Sequence, residues 1–337
     1  MTELQAQPGA RLELDFDDPA LETSVQIGVA AVEEALADVV VADDEFVSLV
    51  AAHLVGAGGK RFRPLLAVLA AHFGDPRRHG VVESAVVVEL THLATLYHDD
   101  VMDEARVRRG AESANARWGN TVAILTGDFL FSRASNLLAD LGPEAVKIQA
   151  RTFERLVVGQ IRETVGPAAG TDAIAHYLSV LAGKTGSLIA TAAQFGAMFA
   201  GADPGTVDVL RRFGEEIGVA FQLSDDILDI ASSDSGKTPG TDLREGVATL
   251  PVLYALASTA DDPASTRLRS LVSRPLTDDD DVREALDLLR TAPGMAHARA
   301  DLLGYARRAQ ALLVDLPDVA ARTALSALVE LTVNRSH

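Results

Sequence analysis

The chain has 337 residues, no cysteine and a formal net charge of -18 at pH 7. The missing cysteines exclude disulfides, thiolate metal sites and a cysteine nucleophile, and so negative a charge argues against nucleic acid or an anionic membrane surface as partner. Hydrophobic residues make up 48% but aromatic residues only 5%, and apolar positions recur at helical rather than alternating spacing, so the expected class is all-α.

Residues 1–20 are polar and acidic, without the apolar stretch of a secretory signal, and are expected to form a disordered tail. A cytoplasmic location is expected on the same grounds. From there Leu21, Val25, Val29, Val32, Leu36 and Val39 mark a helix, and Asp43-Asp44 offers a cap to the next. GAGGKRFRP then sets Lys60, Arg61 and Arg63 between glycines and Pro64. Glycines let backbone approach a ligand, helix N-termini attract anions and the cations add full charge, so this is a candidate diphosphate site. The plain alternative is a basic loop balancing an acidic protein.

One long helix is expected from Gly80 to about Arg106. It carries His92 and the HDDVMD acids Asp99, Asp100 and Asp103. On a helix Asp99 and Asp103 lie one turn apart and share a face. Carboxylates so placed repel unless a cation sits between them, and Mg²⁺, which needs few carboxylates and is usually shared with a phosphate, fits. His92 lies about two turns earlier near the same face, which suits a substrate contact. Glu89 and His92 have ExxH spacing, discounted because no second copy exists. Arg106, Arg108 and Arg109 follow at the expected C-terminus, where cations ordinarily complement the helix dipole.

Further helices are expected over 118–140, 143–165 and 172–202. Lys184-Thr185, between Gly183 and Gly186, interrupts the third, and weakened helix there can free carbonyls and hydroxyls for a ligand. The uncharged run from Thr185 to Ala202 reads as a core helix rather than a membrane span. A helix after Pro204 leads through Gln222 to Asp225, Asp226 and Asp229, which repeat the first acidic spacing. One such cluster is a weak signal; two on apolar helices, where unpaired charge is costly, are a stronger one. The stretch over 232–251, with Lys237 and Arg244, has the composition of a lid. Thr277 to Asp281 reads as a cap and acidic first turn of a surface helix.

GGKRFRP, HDDVMD followed by RRG, the Lys-Thr pair, and FQLSDDILD followed by GK and TDL resemble, in order and spacing, the trans-isoprenyl diphosphate synthases, or polyprenyl synthetases. The resemblance covers roughly Leu21 to the C-terminus, and HLATLYHDD and SANARWGN are similar to long-chain actinobacterial members. It implies one helical domain over 21–337, a bundle of about ten or more helices around a deep central cavity. It also implies an all-trans long-chain synthase that condenses isopentenyl diphosphate onto an allylic diphosphate by ionisation, condensation and proton elimination.

In that family pattern Asp99 and Asp103 hold two Mg²⁺ ions and Asp225 a third from the opposite wall, with Asp100, Asp226 and Asp229 completing the clusters. Arg108, Lys184, Gln222 and Lys237 match contacts to the allylic diphosphate or its metal shell, and Thr185 is expected beside the reacting carbon. Lys60, Arg63, His92 and Arg109 match the isopentenyl diphosphate site. A homodimer is implied, with product passed to membrane enzymes.

Product length should depend on the tunnel below the first acidic cluster. Small Ala94 and Thr95, with Thr91, Val88 and Val87 further back, suggest a heptaprenyl to decaprenyl product unless another helix closes the tunnel, giving geranylgeranyl or farnesyl length. Where many relatives carry a second lid lysine, this chain has Gly246-Val247-Ala248-Thr249, leaving Arg244 or Arg211 as compensating cations. A class I terpene cyclase is disfavoured by the second acidic motif and the Lys60 to Arg63 cluster, and a non-catalytic synthase subunit by retention of both acidic motifs.

Overall fold

In chain order the first helices are α1 (Pro19–Val39), α2 (Glu45–Gly56), α3 (Phe62–Ala71), α4 (Val81–Met102), α5 (Ala114–Trp118) and α6 (Asn120–Leu141). Then come α7 (Pro143–Val165), α8 (Ala173–Leu181), a π-helical turn over Ala182–Gly186, α9 (Ser187–Ala200) and α10 (Pro204–Ala231). The rest is α11 (Thr241–Glu245), α12 (Leu250–Ala257), α13 (Pro263–Val272), α14 (Asp279–Thr291), α15 (Pro293–Leu312) and α16 (Ala320–Asn334). These come from a computed structural model that describes residue 14, residues 16–231 and residues 239–335. The all-α class is as the sequence predicts. Of the expected tail, 1–13 and 15 lie outside the described residues, while Pro19 and Ala20 already belong to α1 and Asp18 caps it: the Asp18 carboxylate accepts from the amides of Ala20 at 2.8 Å and Leu21 at 3.0 Å.

The chain divides into two units. The first comprises the described residues up to Thr152, with Leu188–Arg211 and Asp315–Leu325. Here α1 buries Leu21, Val25, Val32 and Leu36 of the expected stripe, with Val29 and Val39 only half-buried, and Asp44 caps α2 as expected. In α3 every residue from Pro64 to Ala71 is buried, and Gly196 of α9 sits so close that a Cβ there would lie 2.0 Å from the Ala67 carbonyl oxygen. Helix α4 packs along α6. Their approach uses Gly127, where a Cβ would come within 3.0 Å of the Ala94 carbonyl oxygen.

Helix α4 ends at Met102, short of the expected Arg106. Glu104, at φ 51°, turns the chain out of the helix, and the antiparallel strands β1 (Val107–Arg108) and β2 (Ala111–Glu112) follow. Arg109 and Gly110 form the tip with φ 54° and 77°, the left-handed pair that a two-residue hairpin turn requires. Arg106, Arg108 and Arg109 are therefore hairpin residues and not a helix C-terminus. Trp118, expected to open a helix, instead closes α5, because Gly119 at φ 85° separates it from α6.

The second unit comprises Phe153–Ser187, Arg212–Val314 and the described residues from Ser326. The interruption expected at Lys184-Thr185-Gly186 is the π-helical turn, continued by helix on both sides. Gly159 of α7 gives it room: a Cβ at that position would lie 2.7 Å from the Lys184 amide nitrogen. Helix α12 packs on α15, and Asp278 caps α14 with three aspartates in its first turn, as Thr277 to Asp281 predicts. No helix among the described residues is long and apolar enough to cross a membrane.

Candidate active site

In the first unit the hairpin folds back on the end of α4. Arg108 Nε donates to Asp100 at 2.5 Å, and its Nη2 lies 3.8 Å from Asp103. Asp100 is fully buried, and burial raises its carboxyl above the usual range while Arg108 opposes the shift. Asp103 is exposed and Asp99 half-exposed. The cluster thus has two carboxylates reaching water, one turn apart, and a third held inside against an arginine. Tyr97 fixes this end of α4 to α2, donating its hydroxyl to the Val50 carbonyl at 2.5 Å.

The basic residues separate into two roles. Arg61 is buried and fully engaged, with Glu33 at 2.5 Å, Glu89 at 2.9 Å and the Val55 carbonyl at 2.9 Å. It leaves the anion-binding cluster that its position suggested, and it explains Glu89, whose spacing to His92 pointed to no metal. Arg63, by contrast, has an Nε that is buried with no hydrogen-bond partner among the described residues. Burial lowers its guanidinium to about 10, opposed by Glu89 and assisted by Arg109, and it remains a cation at neutral pH.

Arg109 donates through Nη1 to the Gly58 carbonyl and to that of Leu54, the latter at 3.2 Å. Its guanidinium lies against Gly59, where φ is 138° and a Cβ would fall 2.8 Å from Arg109 Cζ. His92 is half-buried, and burial first, then Arg63, Arg109, Arg61 and Arg108, hold its imidazole well below the ordinary value. The first unit therefore gathers His92, Arg63, Arg108 and Arg109, with half-exposed Lys60 on the same glycine loop.

In the second unit Asp225 accepts from Arg335 Nη2 at 2.7 Å, and that guanidinium lies 5.0 Å from the Phe221 ring centroid. Asp226 is buried, bonded by the Tyr177 hydroxyl and by Gln222 Nε2 at 3.1 Å. Burial lifts its carboxyl to about 7, and the Tyr177 and Gln222 hydrogen bonds oppose the rise. Asp229 accepts from the amides of Thr241 and Asp242, each at 3.3 Å, and so holds the start of α11. In the π-helical turn Lys184 donates to Glu163 at 2.6 Å, and the Thr185 hydroxyl points to Gln222 Oε1 at 3.4 Å.

Lys184, Thr185, Gln222 and the Asp225 cluster are thus brought together. Tyr177, Glu163 and Arg335 join them without having been singled out; only Tyr177 had a signal, since it precedes Lys184 by seven residues, about two helical turns. Lys237 lies outside the described residues. The two cations considered as substitutes for the absent lid lysine are both paired, Arg244 with Asp279 and Arg211 with Asp208, each at 2.8 Å.

At the positions expected from the sequence to set chain length, Ala94 is fully buried. Thr91 is buried too and accepts from Gln149 at 2.8 Å, while Thr95 bonds the His92 carbonyl at 2.8 Å. Among the described residues no three His, Asp or Glu side chains converge as a cage for a metal ion. Oxygen donors in pairs, some of them open to water, fit a hard cation that keeps water ligands and completes its shell with a phosphate.

Both units are helical and each carries an acidic cluster with cationic side chains in the same unit, a set of donors that suits a metal-bound diphosphate. The polyprenyl synthetase family pattern matches residues 44–289. Over 325 residues the chain is 54% identical to a nonaprenyl diphosphate synthase of Mycobacterium tuberculosis, covering 96% of each. It is 43% identical to a dimethylallyltranstransferase of the same organism, over 94% of this chain and 97% of that one. A geranylgeranyl pyrophosphate synthase of Corynebacterium glutamicum, solved with calcium and isoprenyl diphosphate, superposes with a TM-score of 0.86 at 49% identity, covering 96% of this chain and 99% of that one. The chain belongs to the polyprenyl synthetase family, and it is a prenyltransferase.

Proposed function

We propose that the enzyme extends an allylic diphosphate with isopentenyl diphosphate, in a Mg²⁺-dependent all-trans reaction, to a product of heptaprenyl to decaprenyl length. The observation that carries the reading is the pair of acidic clusters, each with carboxylates on one helical face. Asp99 and Asp103, with Asp225 and Asp229, would hold the ions, three in all when diphosphate is bound. Asp100 and Asp226, both buried and already hydrogen-bonded, stand behind them. Bound there, Mg²⁺ supplies positive charge against the departing diphosphate.

The remaining groups have chemistry suited to their roles. Arg108, Lys184 and Lys237 are cations for the allylic diphosphate, and leaving-group charge is what they would stabilise as the C–O bond ionises. Lys60, Arg63 and Arg109 meet the second diphosphate directly, and the buried Nε of Arg63, without a hydrogen-bond partner among the described residues, supports this reading. His92, held neutral, adds a hydrogen bond there without further repulsion among the arginines. The double bond of isopentenyl diphosphate attacks the allylic cation, and a proton is then lost to the departed diphosphate, so no protein nucleophile is needed.

A long product is supported by the 54% identity to the nonaprenyl diphosphate synthase and by the small residues at Ala94 and Thr95. A shorter product is the second reading, favoured by the 49% identity to the geranylgeranyl pyrophosphate synthase. A homodimer, a cytoplasmic location and delivery of product to membrane enzymes belong to the same proposal. Incubation with Mg²⁺, isopentenyl diphosphate and farnesyl or geranylgeranyl diphosphate, followed by sizing of the products, tests it. Heptaprenyl to decaprenyl chains are expected; products that stop at geranylgeranyl would establish the second reading, and cyclised hydrocarbon would overturn both.

A further inference from the structure

Both carboxylate oxygens of Asp226 are hydrogen-bonded. Tyr177 of α8 donates its hydroxyl to Oδ2, and Gln222 donates Nε2 to Oδ1 at 3.1 Å. A side-chain amide has a donor end and an acceptor end of nearly the same shape, and its neighbours decide which way it points. With its NH₂ turned to Asp226, Gln222 presents only the carbonyl Oε1 on the other side. The partner found there is the Thr185 hydroxyl, at 3.4 Å, a separation of the kind that catalytic pairs show before substrate tightens them. Thr185 spends its one proton on Gln222 and keeps its lone pairs for whatever lies beyond.

That direction matters for an enzyme that makes a cation. Lone pairs aimed at a carbon losing its leaving group stabilise the developing positive charge, whereas a hydroxyl proton aimed at it would oppose the charge. We propose that Tyr177 is a positioning residue: through Asp226 it fixes the Gln222 amide, which sets the Thr185 hydroxyl so that oxygen lone pairs face the allylic carbon as it ionises. The chain runs from α8 through α10 to the π-helical turn, entirely within the second unit. It gives the buried Asp226 a task other than metal binding, and it rests on the elongation reading above.

Tyr177→Phe keeps the ring and its packing and removes only the donor. Its kcat should fall about 10- to 100-fold, the cost usual for a residue that orients a functional group, while KM for both diphosphates and the thermal midpoint stay close to wild type. Asp226→Asn, which can turn its own NH₂ toward Gln222 and reverse the amide, should lose kcat in the same range. Because both break one chain, the double variant should be no slower than the slower single variant.

A Tyr177→Phe enzyme with wild-type kcat would overturn the inference, and so would losses that multiply in the double variant or a loss confined to KM. Should Tyr177→Phe fail to fold, Asp226→Asn with unaltered kcat overturns it equally. Wild-type protein measured alongside separates the two readings: if it does not elongate, the proposed function fails and takes this inference with it, whereas elongation with an unaffected Tyr177→Phe sinks this inference alone.

Discussion

Arg61 and Arg63 stand two residues apart in one basic motif, and their surroundings give them opposite work. Arg61 neutralises Glu33 and Glu89 in a buried triad, so Arg61→Ala leaves two acids without their cation, one of them fully inside. Such a loss costs about 3–5 kcal/mol, and a urea titration should show the unfolding midpoint fall accordingly. Arg63→Ala removes a buried charge whose Nε has no hydrogen-bond partner among the described residues; stability should hold while KM for isopentenyl diphosphate rises. Spacing could not separate the two, because which arginine turns inward depends on the left-handed backbone of Arg61, φ 48°, at the start of α3.

His92 carries the pH dependence at this scale. Its folded-state value is depressed by burial and by the arginines around it, so the unfolded chain binds a proton, near the ordinary pKa of about 6.5, that the folded chain refuses. Stability from this group is present above that pH and drains away as pH falls below it. Thermal midpoints from pH 7.5 to 5 should therefore decline less steeply in His92→Gln than in wild type; parallel curves would show that the imidazole is not held neutral.

Among elements, the helices whose caps and apolar stripes agree were legible in the chain: α1 from its Leu21 to Val39 periodicity, α2 from Asp44, and α14 from Asp278. Three places that were not are set by positive φ. Glu104 ends α4 early, Arg109 with Gly110 folds the arginines into a hairpin, and Gly119 parts α5 from α6; Glu104 and Arg109 are not glycines, so composition gave no warning of the first two. The π-helical turn was legible as a weak point because glycines flank the Lys-Thr pair; its class was not, since it depends on Gly159 of α7 lying against the Lys184 backbone.

Close helix contacts give a direct test. Gly196→Ala would drive a Cβ into the Ala67 carbonyl, a backbone atom that cannot rotate away. It should destabilise by about 1–3 kcal/mol through overpacking, read as a lower thermal midpoint. Ala94→Phe, which adds bulk to a fully buried position one turn before Asp99, should shorten the product; an unchanged product distribution would place the limiting wall on another helix.

At the scale of the whole chain, the net charge of -18 is reconciled with anionic substrates by local concentration of cations. Arg63, Arg108 and Arg109 gather around His92 in one unit, and Lys184 shares the other unit with the second acidic cluster. The sequence announced both clusters by their repeated spacing, but not the two units, because α7, α10 and α16 each supply residues to both and no linker composition marks a boundary. The roles inside each cluster were also hidden: equal aspartates in the motif become a buried Asp100 tied to Arg108 and an exposed Asp103.

If both clusters serve the ionisation of one allylic diphosphate, each is indispensable. Single-turnover prenyl transfer, followed in Asp99→Ala, Asp225→Ala and the double variant with Mg²⁺ and both diphosphates, is the most direct measurement. The expected result is a loss of several orders of magnitude in each single variant, with thermal midpoints preserved and the double variant little worse than either. Transfer at close to the wild-type rate in either single variant would contradict the account.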